Sequence, residues 1–205
     1  LPEKVELQVE ALSSVKEKQS VVFSDFCEID AKGKVIREIL LNSRVEKFPR
    51  VFLSVETNQY LQGCSLLIHK KLFEIYGEFS ETKKCTQDYY MWFKLASNVP
   101  FIHIGRILVK SRIHQAQDSI LKAELKKNES DIMRYEFVTE LTQKEIYGYA
   151  KGDFSYFWPL YYLYKNAGYR KFPFALINKM HEVFKKSINV SVIVPNYNHA
   201  KYLPA

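Results

Sequence analysis

Hydrophobic periodicity changes character near Ser119, and that change constrains the fold more than anything else in the chain. Before it, short apolar runs alternate with segments of helical spacing. Val5, Val9, Leu12 and Val15 recur at helical intervals, with Pro2 suited to a first turn. Val21-Val22-Phe23 predicts a short buried strand ending at Ser24-Asp25, Asp30-Ala31-Lys32-Gly33 a turn, and Lys34 to Leu41 the return strand. Phe52 to Val55 and Ser65 to Ile68 predict further strands, and Lys70 to Tyr76 a short helix stopped by Gly77. Thr86 suits the cap of a helix running to about Ser97, with Tyr89, Phe93 and Ala96 on one face. Pro100 to Ile104 and Ile107 to Val109 return to strand composition.

After Ser119 helical spacing continues as far as Phe184. Residues 120–146 are charge-rich with apolar positions at Leu121, Leu125, Ile132, Met133, Phe137 and Leu141, which predicts one or two amphipathic helices. Residues 147–174 hold twelve aromatics in 28 positions. Three readings compete for them: a helical core, contact with a membrane surface, and stacking on sugars. Phe174, Ile177, Met180 and Phe184, with Pro173 at the start, predict a last helix, and Val190 to Pro195 is again strand-like. The pattern is an α/β unit followed by an α-only appendage.

Composition narrows the function classes. Hydrophobic residues make up 47% of 205 and charged residues 26%, enough for a packed core and too apolar for wholesale disorder. The net charge of +7 is interleaved with acids, unlike a nucleic-acid-binding arm. Cys27, Cys64 and Cys85 form no Cys-x-x-Cys pair, which supports neither a disulfide framework nor a zinc site and suits a reducing compartment. No segment reaches the roughly 20 apolar residues that span a bilayer.

Individual residues say less. Asp88 stands in the first turn of a predicted helix, where a carboxylate is favoured by the helix dipole whatever its function. His103 and His114 flank a strand pair but form no local metal motif, and Asp25 and Asp30 read as turn chemistry. Neither a Gly-rich phosphate loop nor a dinucleotide fingerprint is present.

The order of motifs is more telling. Leu61-Gln62-Gly63-Cys64-Ser65 is followed by Phe73 to Phe79, then by Gln87-Asp88-Tyr89-Tyr90-Met91-Trp92, and later by Arg112-Ile113-His114. This succession resembles the acceptor-side half of family 2 glycosyltransferases with the GT-A fold. There a Gly-x-Ser strand precedes a short helix, a Glu-Asp-x-x-x-Trp helix start and a Tyr-Arg-x-His segment. Val22 to Asp25 with Ile29 to Gly33 resembles the strand and turn that follow the sugar-nucleotide half. Gln87 stands where the family more often has Glu, and Ser111 where it has Tyr.

The resemblance implies a partial GT-A sheet with flanking helices over residues 1–118, a helical connector over 119–188, and the opening strand of a second such domain over 189–205. It implies an inverting, nucleotide-sugar-dependent transfer to a glycan or lipid-linked acceptor, with Asp88 as general base. Gly63, Cys64, Gln87 and Trp92 are then expected at the acceptor, and Arg112 and His114 at the diphosphate, with His114 also a possible metal ligand. Plainer readings stand beside these: close packing at Gly63, a core ring at Trp92, a surface ion pair at Arg112, a structural imidazole at His114. The expected cofactors are a divalent metal (Mg²⁺ or Mn²⁺) and the nucleotide-diphosphate sugar. Leu1 to Gln8 resembles the segment just after the family's Asp-x-Asp metal motif, so that motif is expected upstream of Leu1 and the piece alone is expected to be inactive and to bind neither. The implied location is cytoplasmic, with peripheral contact at the inner face of the plasma membrane and no nucleic-acid partner. The competing class is a non-catalytic glycan-binding or scaffolding module derived from such an enzyme.

Overall fold

The computed structural model describes residues 1–15, 19–56, 59–114, 117 and 121–184; the strand expected after Asn189 lies outside them. An open sheet forms around β1 (Val21–Ile29), buried along nearly its whole length as expected for a strand covered on both faces. β4 (Phe101–Arg112) runs parallel to it, from Val21 opposite Phe101 to Ile29 opposite Arg112. On its other side β1 pairs antiparallel with β3 (Leu66–Ile68) through Val21–Phe23 and with β2 (Val35–Ile39) through Phe26–Ile29. β4 has only β1 beside it among the described residues.

β1 does not stop at Ser24-Asp25 as the sequence pattern predicts. Asp25 is buried inside the strand because its Oδ1 accepts the Leu41 N–H at 2.9 Å and lies 2.7 Å from His103 Nε2. A satisfied polar side chain is tolerated mid-strand. The Asp25–His103 pair joins β1 to β4, and His103 also stacks on Phe23. Asp30 does follow turn chemistry, its Oδ1 accepting the N–H groups of Lys32 and Lys34 at 2.9 Å each. The two strand segments expected over 100–109 are one continuous β4 with a bulge opposite Asp25.

Phe52 to Val55 is helix, contrary to the strand expectation. It ends α3 (Pro49–Val55), which has Pro49 at its first position and Val51 to Val55 all buried. A helix enclosed on every side reads as a continuous apolar run, and periodicity alone cannot separate it from a buried strand. α2 (Arg44–Lys47) precedes it, and α4 (Lys71–Tyr76) ends at Gly77 with φ of 88°. α1 (Lys4–Ser14) forms as expected but presents the opposite face. Val5 and Val9 are exposed, while Gln8 is fully buried and its Nε2 donates to Ser65 O at 2.7 Å. A carbonyl at the start of β3 needs a donor more than the helix needs another valine contact.

α5 (Gln87–Ala96) carries Met91, Trp92, Phe93 and Leu95 into the core. The region after residue 120 forms α6 (Ala123–Glu140), α7 (Gln143–Tyr149), α8 (Trp158–Asn166) and α9 (Phe172–Phe184). A Thr142–Glu145 capping box starts α7. α6 packs on α3 and α9, and one continuous hydrophobic cluster runs from Val21 to Phe184. Phe93 of α5 stacks on Phe137 of α6, centroids 3.9 Å apart and planes within 6°. Gly148 is needed where α7 meets Phe48, because a Cβ there would lie 2.6 Å from the ring. The aromatics of 147–174 divide: Tyr149, Phe157, Tyr164 and Phe172 are core, whereas Trp158, Tyr162 and Phe174 are exposed.

Several of those rings close around the end of α3. Tyr149 and Tyr156 both donate their hydroxyls to Glu56 Oε1 at 2.5 Å. Arg134 donates to Ser54 O and Glu56 O, satisfying last-turn carbonyls, and its guanidinium lies 4.9 Å from the Tyr164 ring centroid.

Candidate functional site

In an open sheet the carboxyl ends of parallel strands are the usual place for a ligand crevice. β1 and β4 are parallel, and at their carboxyl ends lies a cleft of about 660 Å³. Glu28 of β1 and Ser111 and Ile113 at the end of β4 form its floor, and Tyr60, Leu61 and Gln62 one side. Lys84 to Tyr89 form another wall, and Lys126, Ser130, Met133 and Arg134 of α6 face them.

Three carboxylates line this cleft, and their surroundings separate them. Glu28 accepts two hydrogen bonds from Arg37, at 3.1 and 3.2 Å, and one from the Tyr60 hydroxyl at 2.5 Å. Burial pushes its carboxyl up, but the Tyr60 bond and the Arg37 guanidinium outweigh this and hold it below the ordinary glutamate value. Glu56 is taken by the two tyrosine hydroxyls. Asp88 differs. Burial pushes its carboxyl above the ordinary aspartate value, and the Tyr89 N–H, 2.9 Å from Oδ1, and the Lys126 ammonium only partly oppose this. A carboxylate with raised proton affinity in a cleft is equipped to take a proton from a hydroxyl.

The residues singled out from sequence do not all converge here. Asp88 and Gln87 line the cleft, and Gln87 Oε1 is buried with no hydrogen-bond partner among the described residues. Gly63 and Trp92 instead meet each other. The indole is 2% exposed, so Trp92 is a core side chain, and a Cβ on Gly63 would sit 3.6 Å from its ring, an ordinary van der Waals contact. Cys64 is exposed on the short 3₁₀ turn Gly63–Ser65 and does not line the cleft. Strand alternation decides the end of β4: Ser111 and Ile113 line the cleft, whereas Arg112 and His114 do not. Arg112 Nη1 instead donates to Asp30 O and Ala31 O, at 2.8 and 2.7 Å, fastening the turn after β1. His114 is exposed. Among the described residues no group of three or more His, Cys, Asp or Glu is placed to hold a metal ion.

Sequence reasoning missed the wall contributed by α6. The signal was present: Lys126, Ser130, Met133 and Arg134 recur at intervals of four, three and one, one face of a helix. Lys126, Ser130 and Arg134 made that face look like a solvated one, and Met133 reads as an apolar core position. Lys126 gives a direct test. Replacing it by methionine removes a positive charge that favours ionised Asp88, so the Asp88 carboxyl will titrate at still higher pH, read by carbon-13 NMR of the labelled aspartate. A downward or absent shift would show that the ammonium does not act on this carboxylate.

No helix among the described residues is long and apolar enough to cross a membrane. No protein-family profile matches the chain. Curated relatives do. It is 31% identical over 98% of its length to an uncharacterized glycosyltransferase of Rickettsia felis, of which it covers 33%. It is 30% identical, again over 98% of its length, to an uncharacterized glycosyltransferase of Rickettsia conorii, covering 33% of that protein. A third relative so named, from Rickettsia prowazekii, is 31% identical over 71% of this chain and 46% of its own length. The chain thus spans about a third of the length of the first two of these curated relatives.

Proposed function

We propose that the chain is the acceptor-side portion of a glycosyltransferase of the family 2, GT-A type, with Asp88 as its general base. The acceptor hydroxyl gives its proton to Asp88 as its oxygen bonds to the anomeric carbon of a nucleotide sugar. The bond from that carbon to the diphosphate oxygen breaks on the opposite side, and the nucleoside diphosphate leaves with the electron pair. The observation that carries this reading is the contrast between two of the cleft's carboxylates: burial raises the proton affinity of Asp88, whereas Tyr60 and Arg37 hold Glu28 below its ordinary value. The relatives' names support the same reaction class.

The division of labour assigns donor and cation binding to residues outside this chain, and the glycan or lipid-linked acceptor to the cleft. Exposed Trp158, Tyr162 and Phe174 on the helical part support contact with the inner face of a membrane that carries such acceptors. Calorimetry tests the division: the chain alone is expected to give no binding heat with a nucleotide sugar plus Mn²⁺ or Mg²⁺, whereas the full-length protein does. Tight binding by the chain alone would overturn the assignment. A non-catalytic glycan-binding role draws on one observation, the neutral Gln87 beside Asp88 with its oxygen unpartnered among the described residues; it requires that full-length protein transfer no sugar.

A further inference from the structure

We propose that Glu129, on the long helix α6, is a positioning residue for Asp88: its carboxylate clamps the segment Lys84–Thr86 and so fixes where the helix carrying Asp88 begins. This rests on Asp88 being the base. The N-cap of α5 is not held by its own side chain. A threonine at the N-cap normally accepts a first-turn N–H with its hydroxyl, but Thr86 makes no such bond. Its Oγ1 donates to Glu129 Oε2 at 3.1 Å. The backbone N–H groups of Lys84 and Cys85 donate to the same carboxylate at 3.0 and 2.9 Å. Two consecutive amides and a hydroxyl thus converge on one side chain more than 40 residues away in sequence.

The geometry passes directly to the site. Thr86 is 4% exposed, and its carbonyl accepts the Tyr90 N–H at 3.2 Å, the bond that opens α5. Asp88 follows two residues later. The other hydrogen bonds of the preceding loop, Ser80 with Thr82 and Lys84 Nζ with Glu81 O, are local, while Phe79 packs on Phe73 and the Lys83 ammonium lies 4.8 Å from the Tyr90 ring centroid. Burial pushes the Glu129 carboxyl up, but the bonds from Lys84, Cys85 and Thr86, with Lys83 nearby, hold it below the ordinary glutamate value. The clamp is therefore charged and intact at neutral pH, and is lost only as pH falls below the ordinary glutamate range.

α6 supplies its own control. Asp131, two residues along, clamps a different helix start by the same chemistry, accepting the N–H groups of Arg170, Lys171 and Phe172 at 2.9, 3.0 and 2.8 Å. If Glu129 merely stabilises the fold, the two carboxylates are equivalent. If it positions Asp88, they are not.

The experiment compares Glu129→Ala, Glu129→Gln, Asp131→Ala and Asp88→Asn in the full-length protein, with sugar transfer as one readout. Glu129→Ala is expected to lose about 10²-fold in kcat with KM changed less than about threefold, the cost of a misplaced catalytic group. Glu129→Gln, whose carboxamide oxygen keeps part of the acceptor capacity, falls between it and wild type. Asp131→Ala loses less than about threefold in kcat despite a comparable fall in melting temperature. A second readout needs no turnover: the carbon-13 titration of Asp88 in this chain moves down toward the ordinary aspartate value in Glu129→Ala and stays in place in Asp131→Ala. Equal kcat losses in the two alanine variants, or an Asp88 titration that Glu129→Ala leaves in place, would overturn the positioning role. Retained turnover in Asp88→Asn would remove Asp88 as the base, and the titration would still decide whether Glu129 holds it in place.

Discussion

Asp88→Asn in the full-length protein will lower the sugar-transfer rate by about 10² to 10⁴-fold, the range general-base catalysis commonly contributes, and leave donor binding unchanged. The amide is nearly isosteric and its oxygen can still accept the Tyr89 N–H that Asp88 Oδ1 accepts at 2.9 Å. Packing at the start of α5 is therefore preserved and the loss reports chemistry. The amide cannot accept a proton at neutral pH, so the acceptor hydroxyl must attack undeprotonated. The wild-type rate should also fall as pH drops through the raised Asp88 value, because only the ionised carboxylate is a base. That acid limb should vanish from the residual activity of Asp88→Asn. Initial rates with a labelled nucleotide sugar, taken across pH for both proteins, supply the measurement. An Asp88→Asn protein with wild-type turnover would end the assignment.

Phe137→Ala will destabilise the chain by about 3–5 kcal/mol, the usual cost of removing a buried phenylalanine from a well-packed site. Phe137 is 2% exposed, stacks flat against Phe93 and takes Tyr90 edge-on at 5.2 Å. Phe93 and Tyr90 belong to α5, and Phe137 belongs to α6, so the cavity opens at the seam between the sheet-bearing part and the helices that follow it. For a chain of this size the loss corresponds to a melting temperature lower by roughly 10 °C. Denaturant titration and calorimetry check it together. A loss below about 1 kcal/mol would mean that the seam collapses freely around the missing ring.

Much of the architecture was legible because it rests on local signals. β2 follows a turn that Asp30 builds with its own neighbours, and α4 stops at a glycine with positive φ. Asp88 was legible too, since its place behind Thr86 is a matter of consecutive residues. What failed depends on partners distant in sequence. α3 is helical although its last turn reads as a strand, because enclosure by α5, α6 and α7 removes the polar face that would mark its period. Trp92 is expected at the acceptor or in the core, and only the packed structure, which leaves it 2% exposed, decides for the core. Glu129 carries no sequence signal at all, because an acid on an exposed helix face looks the same whether it meets water or two amides and a hydroxyl.

The parallel pairing of β1 with β4 also sets the order in which the molecule can form. Asp25 and His103, which join the two strands, are 78 residues apart along the chain. Closing so long a loop costs entropy before any contact repays it, and such pairings form slowly compared with helices and hairpins. The β1–β2 hairpin and the pairs among α6 to α9 are local and can form first. The cleft, which opens where β1 and β4 end together, has no floor until the two strands meet. A full-length chain refolding from denaturant would therefore acquire its helices early and its site for chemistry last.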